Sequence, residues 1–161
     1  MANVYIGLGS NLGEKKKNIT NATIILGSIM GDIRLLSSLY ETEPWGFQSD
    51  NAFVNAVILV ETDCTPETCL KMAKSIEREM GRTYHHPGEG YEDRLIDIDI
   101  LLYDDVILNT ESLILPHPLL HKRKFVLEPL AEIAPEFIHP TLHKTIAQLL
   151  KELEDNAHKN I

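Results

Sequence analysis

Arg94-Leu95-Ile96-Asp97-Ile98-Asp99-Ile100-Leu101-Leu102 is an apolar run interrupted by two aspartates two positions apart. The alternating Ile and Leu neighbours read as a buried β-strand. Successive side chains on a strand point to opposite faces, so Asp97 and Asp99 share one face, while Ile96, Ile98, Ile100 and Leu102 take the other. A rise of about 3.3 Å per residue puts the two carboxylates roughly 7 Å apart at the backbone. Two charges in mid-strand are costly to bury unless something positive meets them. A strand with one solvated face can carry Asp at alternate positions, but Asp is a poor strand former and here there are two. The reading adopted is a divalent-cation site, because hard carboxylate oxygens suit Mg²⁺.

The chain has 161 residues, enough for one domain, 1–161, with an adequate core. A formal net charge of -9 disfavours nucleic acid and anionic membrane surfaces as partners. No run reaches transmembrane length and the first residues lack a signal-peptide layout, which points to the cytoplasm. In that setting the glycosylation patterns Asn18-Ile19-Thr20 and Asn21-Ala22-Thr23 carry no meaning. Cys64 and Cys69 make no disulfide framework and read as reduced packing residues.

Along the chain, strands and helices alternate without repeats. Val4 to Gly9 reads as a strand, followed by a turn at Ser10-Asn11-Leu12-Gly13. A helix then places Ile19, Ala22, Thr23, Leu26 and Met30 on one face. Ile33 to Thr42 reads as a second strand and Phe53 to Glu61 as a third. Thr65-Pro66 supplies an N-cap and a first-turn proline for a helix with Leu70, Ala73, Ile76, Glu77 and Met80 along one side, stopped at Gly81. A polar loop from Arg82 to Asp93 leads into the aspartate strand, and short pieces and Pro-bounded turns precede a last helix near Lys144 to Leu153. The order predicts an α+β fold of the ferredoxin-like βαββαβ plan, an antiparallel sheet with helices on one face and C-terminal extensions. The other face is expected to stay open for loops and ligands and to carry Asp97 and Asp99.

Other features suggest chemistry. Gly7-Leu8-Gly9-Ser10-Asn11-Leu12-Gly13 resembles a phosphate-cradling loop but misses the dinucleotide spacing by one residue and lacks the P-loop lysine, so it reads as a tight turn with close backbone approach. Phe53 and Asn55 share a strand face. An aromatic beside an amide suits a flat heterocycle, and equally a core Phe with an Asn bonded to loop backbone. Arg82, Arg94 and Arg123 stand at loop–element junctions, where guanidinium forks bind phosphate oxygens. His117 lies between two prolines that stiffen its loop. His139 and His143 with His85-His86 invite a zinc reading, but no convincing pair of ligand couples exists.

Several ordered segments carry a resemblance. They are Tyr5-Ile6-Gly7-Leu8-Gly9-Ser10-Asn11-Leu12-Gly13, Ser38-Leu39-Tyr40-Glu41-Thr42-Glu43-Pro44-Trp45-Gly46 and Phe53-Val54-Asn55-Ala56. Ile76-Glu77-Arg78-Glu79-Met80-Gly81-Arg82 and the aspartate strand follow, then Leu115-Pro116-His117-Pro118, Phe125-Val126-Leu127-Glu128-Pro129-Leu130 and Glu132-Ile133-Ala134-Pro135. Together they are similar to the 6-hydroxymethyl-7,8-dihydropterin pyrophosphokinases. The resemblance implies transfer of the ATP β,γ-diphosphoryl group to the pterin hydroxymethyl oxygen with release of AMP, by a monomer whose partners are small molecules. It implies that Asp97 and Asp99 hold two Mg²⁺ ions. Phe53 and Phe125 would sandwich the pterin, with Asn55 and the backbone around Thr42, Glu43 and Trp45 on its edge. Arg82, Arg94, His117 and Arg123 would contact the triphosphate, with Arg82 and Arg94 sharing the catalytic role. Glu77 and Ile100 would border the nucleoside. The chain departs from the family at Tyr84, where many members have a second arginine, at Tyr91-Glu92-Asp93, where small residues are common, and at Pro118, where some have tyrosine.

Three functions fit to different degrees: the diphosphokinase, another Mg²⁺-dependent nucleotidyl or phosphoryl transferase, and a ligand-binding regulator without activity. The second needs no stacking Phe53 and Phe125. The third leaves the strand aspartates and the placed arginines unexplained.

Overall fold

Nine residues, Ala2–Ser10, all buried but Asn3 and Gly7, make β1, an inner strand of a sheet whose every pairing is antiparallel. A computed structural model describes residues 1–42, 52–82 and 95–159, the side chains of 82, 158 and 159 excepted. After β1 come α1 (Lys15–Ile29), β2 (Gly31–Leu36), β3 (Tyr40–Thr42), β4 (Phe53–Thr62), α2 (Pro66–Arg82) and β5 (Asp97–Tyr103). A small hairpin of β6 (Leu108–Asn109) and β7 (Ile114–Leu115), a 3-10 turn at Leu120–Lys122, α3 (Lys124–Ile133) and α4 (Ile146–Lys159) complete the chain. The sheet order is β2-β4-β1-β5, with β3 continuing along the same side of β4. This is the ferredoxin-like arrangement expected from the element order.

The amphipathic faces of α1 and α2 explain why both lie on the same side. Ile19, Ala22 and Leu26 of α1 and Cys69, Ala73 and Ile76 of α2 meet Val4, Ile6, Leu8, Ile58, Ile98 and Ile100 in one core. Each fully buried Ile or Leu contributes about 1.5–3 kcal/mol. The Thr65 hydroxyl accepts the Thr68 N–H at 3.2 Å, the N-cap predicted for α2. The helix runs one residue past Gly81, to Arg82.

The second face is not open as expected. Its far half is covered by α3 and α4, whose Leu127, Leu130, Ile146 and Leu149 pack on Tyr5, Val57, Leu59, Leu101 and Leu102. Pro129 lies inside α3 and cannot donate to the carbonyl four residues back, which hid this helix from the sequence pattern. A capping box opens α4: the Thr145 hydroxyl accepts the Gln148 N–H, and the side-chain Oε1 of Gln148 accepts the Thr145 N–H at 2.8 Å.

Two strands also differ from expectation. Ile33 to Thr42 is broken, because Ser37 enters the ladder with its side chain: its hydroxyl accepts the Val57 N–H at 2.9 Å, and its own N–H donates to the Val57 carbonyl. The single extended strand therefore becomes β2 and β3. In β5 the register with β1 shifts between Tyr5 and Ile6, so Leu101 is an extra residue. This bulge turns Leu102 to the same side as Leu101, into the second core rather than onto the isoleucine face.

Candidate active site

Because β1 lies between β4 and β5, each of its residues has a partner on both sides. Gly9 pairs with Asn55 and with Asp97; Gly7 pairs with Val57 and with Asp99. Residues directly opposite in an antiparallel ladder project from the same face. Asn55, Gly9 and Asp97 therefore form one row across three strands. Tyr40, opposite Asn55, extends that row into β3, and Thr42 lies opposite Phe53. The two glycines leave a bare floor between the Phe53–Asn55 side and the aspartates. A Cβ on Gly9 would stand 3.0 Å from Asn55 Oδ1 and 3.6 Å from Phe53 Cδ1. Gly7 and Gly9 lie within β1, in the strand expected over Val4 to Gly9, which runs one residue further, to Ser10. Their role as a floor was legible only in the i, i+2 spacing, which puts two missing side chains on one face.

On the β4 side, Asn55 is buried and its Nδ2 donates to Thr42 Oγ1 at 2.8 Å. The amide is thus oriented by a strand side chain rather than by loop backbone, beside the half-buried Phe53. Phe125 sits in the first turn of α3 against the second core, with the Arg123 guanidinium 5.6 Å from its ring centroid.

On the β5 side, Asp97 and Asp99 share a face as predicted. Burial, and then the charge of Asp97, push the Asp99 carboxyl up to about 7, against the pull of Arg123. The outer edge of β5 is closed by α2: Glu77 Oε2 accepts the Ile98 N–H at 2.8 Å. Burial raises the Glu77 pKa, the Ile98 bond opposes that, and the charge of Asp97 adds to it. Three carboxylates thus crowd one sheet edge. His117 is pinned nearby, its N–H donating to Leu101 O and its Nδ1 accepting the Leu119 N–H at 3.1 Å. Burial and the Arg123 charge lower its pKa to about 4, so the ring is neutral at pH 7 and Nε2 is left as the donor.

A hard cation fits this donor set. Like charges held close in a buried place raise each other's pKa, and a divalent ion would relieve that repulsion. Among the described residues no three His, Cys, Asp or Glu are placed to hold a metal by themselves. Two carboxylates completed by phosphate oxygens is the manner in which Mg²⁺ is commonly held.

The remaining site candidates divide. Ile100 is 3% exposed in the core against α1 and α2, on the face opposite the aspartates, so the structure does not bring it to a ligand on their side. Arg82 ends α2. Glu43, Trp45 and Arg94 lie outside the described residues, as do Tyr84, Tyr91-Glu92-Asp93 and the rest of the loop 83–94. His139 Nδ1 accepts the Leu142 N–H at 3.0 Å and so holds a turn, while His85 and His86 lie outside the described residues.

A family model for 7,8-dihydro-6-hydroxymethylpterin-pyrophosphokinase matches residues 5–135, which include every described residue of this site. The chain belongs to that family. The 2-amino-4-hydroxy-6-hydroxymethyldihydropteridine pyrophosphokinase of Porphyromonas gingivalis is 44% identical over 141 residues, covering 87% of this chain and 95% of the relative. The folic acid synthesis protein FOL1 of Dictyostelium discoideum is also 44% identical, over 88% of this chain but only 21% of its own length. Among solved structures, an HPPK-DHPS in complex with substrates superposes with a TM-score of 0.79 at 15% identity, over 98% of this chain and 44% of that one. That likeness supports the family's fold.

Proposed function

We propose that this chain transfers the β,γ-diphosphoryl group of ATP to the hydroxymethyl oxygen of 6-hydroxymethyl-7,8-dihydropterin, giving AMP and the pterin diphosphate, as a Mg²⁺-dependent step of folate biosynthesis. The row Asn55–Gly9–Asp97 carries the reading. It sets an amide suited to a heterocycle edge and a carboxylate suited to a metal–phosphate centre on one bare floor. The names of the relatives supply the substrates. We expect the protein to act as a monomer in the cytoplasm; no described helix is long and apolar enough to cross a membrane.

In this reading Phe53 and Phe125 stack on the two faces of the pterin, and Asn55, oriented by Thr42, bonds its edge. Asp97 and Asp99 would hold two Mg²⁺ ions, whose chemistry when bound is to neutralise phosphate charge. Arg123, the Nε2–H of His117, Arg82 and Arg94 would contact the triphosphate. Diphosphoryl transfer needs positioning and charge stabilisation rather than a covalent nucleophile, and a cluster of acids and cations suits that. Glu77 holds the Ile98 N–H at the edge of β5 and would border the nucleoside.

Incubation with ATP, Mg²⁺ and the hydroxymethyl pterin should yield AMP in step with pterin diphosphate. ADP would instead mark a single-phosphoryl kinase, and no nucleotide product would mark a binding protein.

A further inference from the structure

Glu132, in the last turn of α3, reaches across to the strand break that precedes β3. One oxygen accepts the Tyr40 hydroxyl at 2.7 Å, and the two oxygens accept the Ser38 N–H at 3.0 and 3.1 Å and the Ser38 hydroxyl at 2.9 Å. The hydrogen bond from Tyr40, then that from the Ser38 N–H, hold the carboxyl below the usual range, and the same bond pushes Tyr40 up to about 12. A solvent-facing carboxylate that only solubilised its helix would not gather three donors.

What it joins is informative. β3 has only three residues and, among the described residues, pairs with β4 alone, so its own ladder holds it weakly. Tyr40 lies opposite Asn55, and two residues on, Thr42 orients the Asn55 amide. At the other end, α3 is a rigid piece backed by the fully buried Leu127 and Leu130. Phe125 stands seven positions before Glu132 in that helix, roughly 10 Å along its axis.

We propose that Glu132 is a positioning residue of the pterin pocket. It locks β3, which orients Asn55 through Thr42, to α3, which carries Phe125, and so sets the gap between the sheet wall and the helix wall. This rests on the pterin reading of the site. Asp97, Asp99 and the nucleotide side lie on β5, across β4 and β1 from this lock, and are not held by it.

The test uses Glu132→Ala, Glu132→Gln and Tyr40→Phe in the full chain. Hydroxymethyl pterin is titrated into protein saturated with a non-hydrolysable ATP analogue and Mg²⁺, and the analogue is titrated separately. Glu132→Ala should weaken pterin binding and raise the pterin KM about tenfold, equivalent to ~1.4 kcal/mol. Analogue affinity and kcat should stay within about twofold. Glu132→Gln, which keeps one acceptor oxygen, and Tyr40→Phe should show a smaller loss of the same kind. The double variant Tyr40→Phe/Glu132→Ala should be no worse than Glu132→Ala, because both act through one contact. Unshifted pterin affinity in Glu132→Ala, or equal losses for both ligands, overturns the proposal. A wild-type protein that binds no pterin overturns the functional reading and the proposal with it; wild-type binding with an indifferent Glu132→Ala overturns the proposal alone.

Discussion

Asn55 and Asp97 face the same side of the sheet from opposite flanks of Gly9, each its direct ladder partner. Two inter-strand steps separate them, about 10 Å at the backbone. That is the span of a bicyclic heterocycle with a one-carbon arm and the hydrogen bonds at its ends. In the proposed reading, the spacing of recognition and reaction is therefore set by the sheet.

Gly9→Ala should disturb recognition before anything else. The new Cβ would sit 3.0 Å from Asn55 Oδ1, tighter than ordinary contact, so the amide must move. No left-handed backbone conformation is involved, and the fold should tolerate the change. Calorimetry should show pterin affinity reduced by about 1–2 kcal/mol, with nucleotide-analogue affinity retained. Unchanged pterin binding would show that Asn55 does not read the ring.

Asp97→Ala or Asp99→Ala should cut AMP formation by more than about 10³-fold, the scale of losing a key electrostatic element. Melting measured without Mg²⁺ should not fall in Asp99→Ala, because burial and the neighbouring Asp97 already penalise the charged form of this group. Near-normal turnover in either variant would remove the carboxylate pair from the reaction.

Phe125→Ala should weaken pterin binding by roughly 1–3 kcal/mol through lost aromatic burial. ATP-analogue binding should barely change. Phe125 also packs on the second core, so melting is the control: a large drop with equal loss of both ligands would mark it as a structural residue.

His139 predicts an acid-sensitive fold. Its ring is 3% exposed and accepts N–H bonds from Thr141 and Leu142 at Nδ1. Burial, then the charges of His121 and His143, lower its pKa to about 4. The folded value lies below the usual ~6.5, so the stability it contributes is complete above pH 6.5 and is lost as pH falls through 4. Urea unfolding at pH 7, 5.5 and 4 should show His139→Asn losing less stability on acidification than the wild type, by on the order of 2–3 kcal/mol. Parallel pH profiles would assign the acid sensitivity to other groups.

What local pattern could carry was legible. Period-two alternation put Asp97 and Asp99 on one face, 3.6-residue spacing found the apolar sides of α1 and α2, and Thr65-Pro66 marked the start of α2. These features depend on neighbours a few residues away, and the side-chain chemistry of such neighbours is written in order along the chain. The element order was enough for the sheet plan, because few connections of that length pack both helices on one face.

Tertiary structure decided the rest. The Ser37 hydroxyl breaks a strand only because Val57 lies beside it, and the Leu101 bulge turns Leu102 only because β1 sets the register. Pro129 argued locally against a helix that burial of Leu127 and Leu130 sustains. Gly7 and Gly9 read as strand residues, and they become a floor only because β4 and β5 close on both sides of them. Glu132 meets Ser38 across 94 residues of sequence. Each of these depends on a contact between distant segments, whose energy appears only once the chain has bought its compactness with conformational entropy.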